Sequence, residues 1–552
     1  MLRFRNKILL VALALSGLSG NFSNLSAQDN GPQRGRIPTG PWRIAGKVVN
    51  ALNGAPLART RVTIMDAKIR ENVQVVISSD DGRFEFHVPG GKFALQGAKR
   101  GFITAAYNQH DQFSTAIVTG LAGVDAENLT LRLSPNAVLS GKVLDEFGEP
   151  VREAQIIVYR ENRFSGVSRI SRFRGASTDD QGRYEVTPLD EGTYFVSAKA
   201  TPWYAVHPIS APEGSPEAPV QVDTALDVAY PLTFYGDTVE ADEATPIPVR
   251  GGDRLEADIH LNPSPALHLL FHGGENGNVA SPQILKPVFD GMEDVEAGAL
   301  QNVSPGVFEL TGIAMGRYMV RMPDAGGQLK EPAAANLTSN QELDGASGQS
   351  TSKVKVKVEV AGTSTVPPQI QIGLRNSKGR VIGSEVDGNR EANFTDIVAG
   401  KYDVLAGSQN ESFSVARIAW DGGSTLGRTL TVPAGAELSI LVSLNGGSVT
   451  VDGFAKRGGK GIAGAMVVLI PKNPEENHDR FRRDQTDLDG SFTLFNVSPG
   501  SYTVIAIEDG WDLDWAKPAV LAHYGRKGQP LIVGAQSKQT VHLGDPVNVV
   551  PK

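Results

Sequence analysis

Short runs of alternating apolar and polar residues, each opened by a turn-forming phrase, recur along this chain. Phe84 and Phe86 flank Glu85 after Asp80-Asp81-Gly82-Arg83, Tyr184 and Val186 flank Glu185 after Asp179-Asp180-Gln181-Gly182-Arg183, and Phe492 and Leu494 flank Thr493 after Asp487-Leu488-Asp489-Gly490-Ser491. A period of two predicts a half-buried antiparallel strand at each place. A second phrase follows each one: Gly91-Lys92-Phe93, Gly192-Thr193-Tyr194 and Gly500-Ser501-Tyr502. The two aromatics stand ten residues apart in Tyr184/Tyr194 and Phe492/Tyr502, and nine apart in Phe84/Phe93. Phe308/Tyr318 and Phe394/Tyr402 keep the rhythm without the Asp-Gly turn, with Gly316 and Gly400 before the second aromatic. Five returns of one turn-strand-turn-strand unit mark copies of a single β-module.

The turn residues have a chemical reason to recur. An Asp side chain bonds the backbone two residues on, and Gly supplies positive φ, so Asp-Asp-Gly or Asp-x-Asp-Gly closes a hairpin at little cost. The upstream strands repeat as well: Ile44-Ala45-Gly46-Lys47-Val48-Val49 with Gly54-Ala55-Pro56-Leu57, then Leu139-Ser140-Gly141-Lys142-Val143-Leu144 with Gly148-Glu149-Pro150-Val151. The pattern divides the chain into a signal peptide (1–27), a polar leader (28–41), module one (42–134), module two with an extension (135–264), module three (265–325), a linker (326–352), module four (353–445) and module five (446–552). Residues 328–352 are rich in Ala, Asn, Ser, Gln and Gly with few large apolar side chains, which predicts a flexible linker or a disordered loop.

Length and composition agree with an array. A chain of 552 residues exceeds one core, and its 61 Gly and 33 Pro favour many short strands over long helices. The formal charge of −8 carries no basic stripe, so nucleic acid is a poor partner. Arg3, Arg5 and Lys7 precede the apolar run 8–15, and small residues follow to Leu25-Ser26-Ala27, which predicts an export signal cleaved after Ala27. Ser16, Gly17, Ser19, Gly20 and Asn21 make the run too short to serve as a membrane anchor, and no later run in the mature chain is long enough for a transmembrane segment. There is no cysteine, which removes disulfides, thiolate metal sites and cysteine nucleophiles together.

The order Gly-Lys-Val, Gly-x-Pro-Val, an apolar strand, Asp-x-x-Gly-Arg-Tyr and Gly-x-Tyr resembles the carboxypeptidase regulatory-like domain, found in tandem in secreted proteins of soil bacteria. The resemblance covers residues 44–104 and 139–200 and the second half of 448–508; modules three and four depart from it. It implies an all-β chain of tandem immunoglobulin-like or transthyretin-like β-sandwiches (a carbohydrate-binding-like fold), similar in shape to the collagen-adhesin B-type domain and to starch-binding sandwiches.

The candidate chemistry is sparse. A zinc peptidase needs His-x-x-Glu and a distant third ligand. The only match is His272-Gly273-Gly274-Glu275, where Gly273-Gly274 reads better as a hairpin turn; His268, four residues earlier, reads as an exposed strand histidine. No Gly-x-Ser-x-Gly elbow or phosphate loop occurs. A calcium loop at Asp487-Leu488-Asp489-Gly490 would need carboxylates where Gln485 and Asn496 stand. The arginines at 160, 163, 169, 172 and 174 read as a solvated basic loop. Trp203-Tyr204 reads as core packing, whereas Trp511 and Trp515, with Asp512 and Asp514, form a candidate ligand-binding set in which rings at the rim of module five stack on a sugar while carboxylates take its hydroxyls. The expectation is an exported, non-enzymatic β-sandwich array without cofactor, periplasmic, extracellular or cell-surface associated, that binds carbohydrate or an envelope protein; a purely structural spacer is the rival, and an exported hydrolase a third reading.

Overall fold

The computed structural model of the chain describes residues 35–208, 223–272, 281–304, 306–323, 332–343, 351–360, 370–376, 381–407, 412–445, 449–475, 477–534 and 540–552. The predicted signal peptide, the leader before Gly35 and the 273–275 turn lie outside them.

The fold is all-β, a tandem of five sandwiches with one connectivity. In the first, the opening strand Trp42–Asn50 runs antiparallel to Arg83–Val88 and parallel to Leu129–Leu133, while Arg61–Asp66 pairs with Val73–Ile77 and Gly91–Ala98 in the facing sheet. The second repeats this with Ala137–Leu144 between Arg183–Leu189 and the parallel pieces Arg254–Glu256 and Ile259–His260, and with Gln155–Asn162 between Arg169–Ser177 and Gly192–Lys199. The extension adds Thr233–Phe234 and Ile247–Val249 to the edge of Gly192–Lys199. The third and fourth modules, which depart from the sequence pattern, keep the same topology. Ser264–His272 is antiparallel to Val307–Ala314 and parallel to Gln341–Leu343; Thr351–Val360 is antiparallel to Glu391–Val398 and parallel to Glu437–Asn445. The fifth closes the series, with Val449–Arg457 against Ser491–Val497 and Met466–Pro471 between Arg482–Gln485 and Gly500–Glu508. Each sandwich buries its own apolar cluster, as in Ile44, Val48, Phe84, Phe86 and Phe93 of the first.

The two recurring phrases have distinct structural jobs. In the first, Asp179 N donates to Arg183 O (2.9 Å), the Asp179 carboxylate accepts from Gln181 N and Arg183 N, and Gly182 takes φ 68°. The carbonyl of this glycine then accepts Val143 N at 2.8 Å, which ties the hairpin to the opening strand; Gly82 with Val48 N and Gly490 with Ala455 N repeat the bond. The fourth module contains the same turn. Asp387 accepts from Asn389 N and Glu391 N, Arg390 stands at φ 65° in the glycine's place, and its carbonyl accepts Val358 N. In the second phrase the tyrosine folds back: the hydroxyls of Tyr194, Tyr318, Tyr402 and Tyr502 donate to the carbonyls of Asp190, Ala314, Val398 and Ser498, four residues earlier. In modules three and five the ring lies close over the glycine of Gly-x-Tyr, where a Cβ at Gly316 or Gly500 would stand 3.3 Å from it; at Gly192 and Gly400 the distance is an ordinary 3.7 and 3.8 Å.

The linker reading is corrected where the chain is described. Ala333–Leu337 pairs with Gly316–Arg321, Gln341–Leu343 pairs with the opening strand, and Leu337 and Leu343 are buried in the third core. A short edge strand has one partner and needs few inward side chains, so its composition imitates a linker. Residues 326–331 and 344–350 lie outside the described residues.

Candidate functional site

The four residues singled out in module five are brought together, but at a seam between modules. After Gly500–Glu508 the chain turns through Asp509, at φ 53°, into Gly510–Asp512 and the helix Pro518–Gly525. This segment packs Trp515, 4% exposed, with Phe481, Ile505, Leu521 and Tyr524. The Trp511 indole N–H donates to Gly464 O at 3.0 Å, and one face of its ring is covered by His110 of module one, stacked at 5.0 Å. The expected free ring faces at the rim are therefore corrected, because surfaces distant in sequence supply their partners. Asp512 is exposed and ion-paired with Lys552. Asp514 accepts Ser168 N of module two at 2.9 Å and pairs with Arg163 (3.3 Å) and Lys517 (2.5 Å). The lysine first, then Arg163, hold its carboxyl below the usual range.

Module one meets module five through a polar ladder. Gln485 Nε2 donates to Asn108 O (2.5 Å) and Thr115 Oγ1 (2.8 Å), Ala116 N donates to Asp487 Oδ1, and Leu488 N donates to Ala116 O. Lys92 Nζ reaches Asp487 at 2.6 Å and Ser491 Oγ at 2.7 Å, while the Leu488 side chain packs against the core of module one. The Asp-Gly turn of module five is thus a plug. Beside it the Arg483 guanidinium, 6% exposed, pairs with Asp111 and lies 5.2, 5.8 and 4.9 Å from the rings of Phe113, Trp511 and Trp515. Burial pulls Arg483 below the usual guanidinium range against the pull of Asp111. Burial, with Asp487 adding to it, pushes Asp484 up to about 7.

Module two completes the seam with the loop read as solvated and basic. Gly166 O accepts Ala516 N at 2.9 Å, and at φ 81° a Cβ on Gly166 would stand 2.5 Å from the Ala516 Cβ and 2.7 Å from the Trp515 ring. The loop reading is corrected for four of the five arginines, which stand on strands, Arg160 on Gln155–Asn162 and Arg169, Arg172 and Arg174 on Arg169–Ser177. Arg160 pairs with Asp190, Arg163 with Glu161 and Asp514, and Arg172 with Glu293 of module three. Trp203, read as core, is 84% exposed, while Tyr204 hydrogen-bonds Glu146.

A second buried polar chain joins modules two and three. His268, read as exposed, is held at Nε2 by Asp227 (2.8 Å) and at Nδ1 by Glu309 (2.9 Å), and Asp227 also holds His207 Nδ1 (2.9 Å). The His207 ring wedges between Gly298 and Gly312, where added Cβ atoms would come within 2.4 and 2.8 Å of it. His272 is exposed and pairs with Glu342. Burial lowers the affinity of His268 for a proton, but Asp227 and Glu309 outweigh it, so its pKa is raised. A raised histidine stabilises the folded state fully below its unfolded pKa, about 6.5, and that contribution is lost as pH rises through the folded value. Rate-corrected hydrogen exchange in Ser264–His272 should be slower at about pH 6 than at about pH 8.5, and His268→Gln should remove that difference. A variant with the same pH dependence would place its origin elsewhere.

No helix among the described residues is long and apolar enough to cross a membrane, and no group of three or more His, Asp or Glu among them could hold a metal ion. No protein-family model and no curated protein matches this sequence, so the carboxypeptidase regulatory-like resemblance rests on its motifs. Among solved structures, the Bacillus anthracis TIE protein aligns at 10% identity over 95% of this chain and 76% of its own, with a TM-score of 0.16. A streptococcal ancillary pilin aligns at 12% identity over 55% of this chain and 98% of its own, TM-score 0.19. GBS52, the minor pilin of Streptococcus agalactiae, aligns at 11% identity over 41% and 97%, TM-score 0.21. None of the three superposes on the chain as a whole.

Proposed function

We propose that this chain is an exported, non-enzymatic β-sandwich array that acts by binding at the cell envelope, with a carbohydrate or an envelope protein as its partner. The observation that carries the reading is the return of module five onto modules one and two: the conspicuous polar and aromatic residues of the repeats serve turns and seams, and the chain folds back into a body with several outward faces. That fold-back favours a binding body over a spacer, since a stalk gains reach by stringing its modules end to end. Export follows from the basic and apolar pattern of residues 1–27, with periplasm, outer surface and medium as its possible destinations.

Expression of the full chain in a bacterial host, followed by fractionation and intact-mass measurement, tests export: a mature chain beginning at Gln28 is expected outside the cytoplasm. Purified mature protein should then sediment with washed cell envelopes. Retention of Met1 in a cytoplasmic product would overturn export, and failure to co-sediment would overturn envelope binding.

A further inference from the structure

Module one leaves one sheet edge open. Its five-stranded sheet begins at Val73–Ile77, followed by Arg61–Asp66 and Gly91–Ala98. Module five bonds to Lys92 and to the 108–116 loop, toward the opposite edge of that sheet, so Val73–Ile77 lies away from the seam. Ser78 N donates to Thr60 O and Asp66 N to Asn72 O, so the even-numbered residues of this stretch turn their backbone groups toward Arg61–Asp66. Val73, Val75 and Ile77 turn theirs to the open side. Gly35 O takes Val73 N at 3.0 Å, whereas the N–H and C=O of Val75 and Ile77 meet no partner among the described residues. The side chains add to this. Val75 and Ile77 stand on the solvent face, 49 and 60% exposed, and the strand Val-Gln-Val-Val-Ile holds no charge, Gly or Pro. The equivalent edge strands of the other modules, Arg169–Ser177, Gly291–Asp294, Val381–Glu385 and Arg482–Gln485, all contain charged side chains. The edge in module two is also occupied: Asp290 of module three donates its N–H to Ile170 O at 3.3 Å and accepts Ile170 N on its carboxylate at 2.7 Å. Charged side chains and covering segments are the usual ways of keeping a strand edge from pairing, and among the described residues Val75 and Ile77 have neither.

We propose that two copies of this chain dimerise by antiparallel pairing of their Val73–Ile77 strands. Open backbone donors and acceptors in a row are satisfied by another extended strand rather than by a small molecule. A two-fold axis at Val76 sets Val75 opposite Ile77 of the second copy and Ile77 opposite its Val75, and each of these pairs exchanges both of its N–H···O bonds. All the open groups of both copies are used at once, and the amide already held by Gly35 is not needed. The strand suits its own copy in particular. With no charge in it, no like charges meet across the axis, whereas a two-fold pairing of Arg169–Ser177 or Arg482–Gln485 would bring arginines together. On the solvent face the exposed Val75 and Ile77 of one copy meet those of the other as apolar cross-strand pairs. Pairing joins two five-stranded sheets into one, with module five at its outer ends. The contact is small, which places it in the weak, concentration-dependent class of interfaces. The dimer goes beyond the envelope-binding reading and stands or falls separately from it.

Sedimentation equilibrium of the mature chain over a roughly hundredfold concentration range tests it. The weight-average mass should climb from monomer toward dimer. Val75→Lys and Ile77→Lys each add a charge at an exposed position, and each should weaken association about tenfold or more with little change in melting temperature. Hydrogen exchange on the parent chain gives a readout that needs no variant: protection in Val73–Ile77 should rise with concentration, while that in Val381–Glu385 of module four stays constant. A mass that stays monomeric across the range would hand the edge to a foreign strand and overturn the assignment. A dimer that survives both substitutions, or one that adds no protection in Val73–Ile77, overturns it as well.

Discussion

Trp515→Ala should cost about 3–5 kcal/mol and release module five from modules one and two. The ring is 4% exposed and packs edge-on against Phe481 at 5.3 Å. Its other neighbours make truncation worse than an ordinary cavity. The Arg483 guanidinium lies 4.9 Å from the ring centroid, and Gly166 is glycine because the indole occupies the space of a side chain. Removing the ring leaves a buried cation facing a void, with Asp111 as its remaining charged partner. Hydrogen exchange should rise in the 105–118 loop of module one and the 162–169 loop of module two as well as in module five. Asp512→Asn is the contrast: that exposed carboxylate meets only Lys552 at the surface, and its loss should move stability by less than about 1 kcal/mol. Calorimetry and exchange on both variants decide the matter. An unchanged transition for Trp515→Ala would mean the seam contributes little.

What could be read from the sequence was local. The alternation of Phe84, Glu85 and Phe86, the aromatic spacing of Tyr184/Tyr194 and the Asp-Gly phrase each report on one strand or turn, and they were enough to give the all-β repeat. The seam was hidden because its halves lie hundreds of residues apart: Gln485 bonds Asn108, Trp511 stacks on His110, and Trp515 meets Gly166. Arg163 in a run of arginines looks solvated until Asp514 is found beside it, and Leu488 inside an Asp-Gly turn looks exposed until the core of module one is found around it. Leu488 still gave a signal, as an apolar residue where the other two copies of the turn carry Asp80 and Asp180. The turn of module four went unseen for another reason: its positive φ is held by Arg390, a residue type that does not advertise it.

Gly182→Val should destabilise module two by roughly 3 kcal/mol or more, because two independent penalties coincide. The backbone at φ 68° is left-handed, which a β-branched residue adopts only with strain. The new Cβ would also stand 2.6 Å from Val143 O, an atom fixed by its bond from Val151 N, and 3.1 Å from the Pro150 Cβ. Moving the turn away would break the Val143 N to Gly182 O bond that ties the hairpin to the opening strand. Hydrogen exchange resolved by module should show protection lost across Ala137–Leu144 and Arg183–Leu189 and kept in module four. The same backbone argument runs in reverse at Arg390→Gly, where left-handed strain is relieved and the fourth module should gain up to about 1 kcal/mol. A pair of opposite shifts would establish that one left-handed position governs the hairpin in both modules. If Gly182→Val melts like the parent, the turn tolerates another geometry; if Arg390→Gly is neutral or harmful, the contacts of the arginine side chain offset the strain it carries.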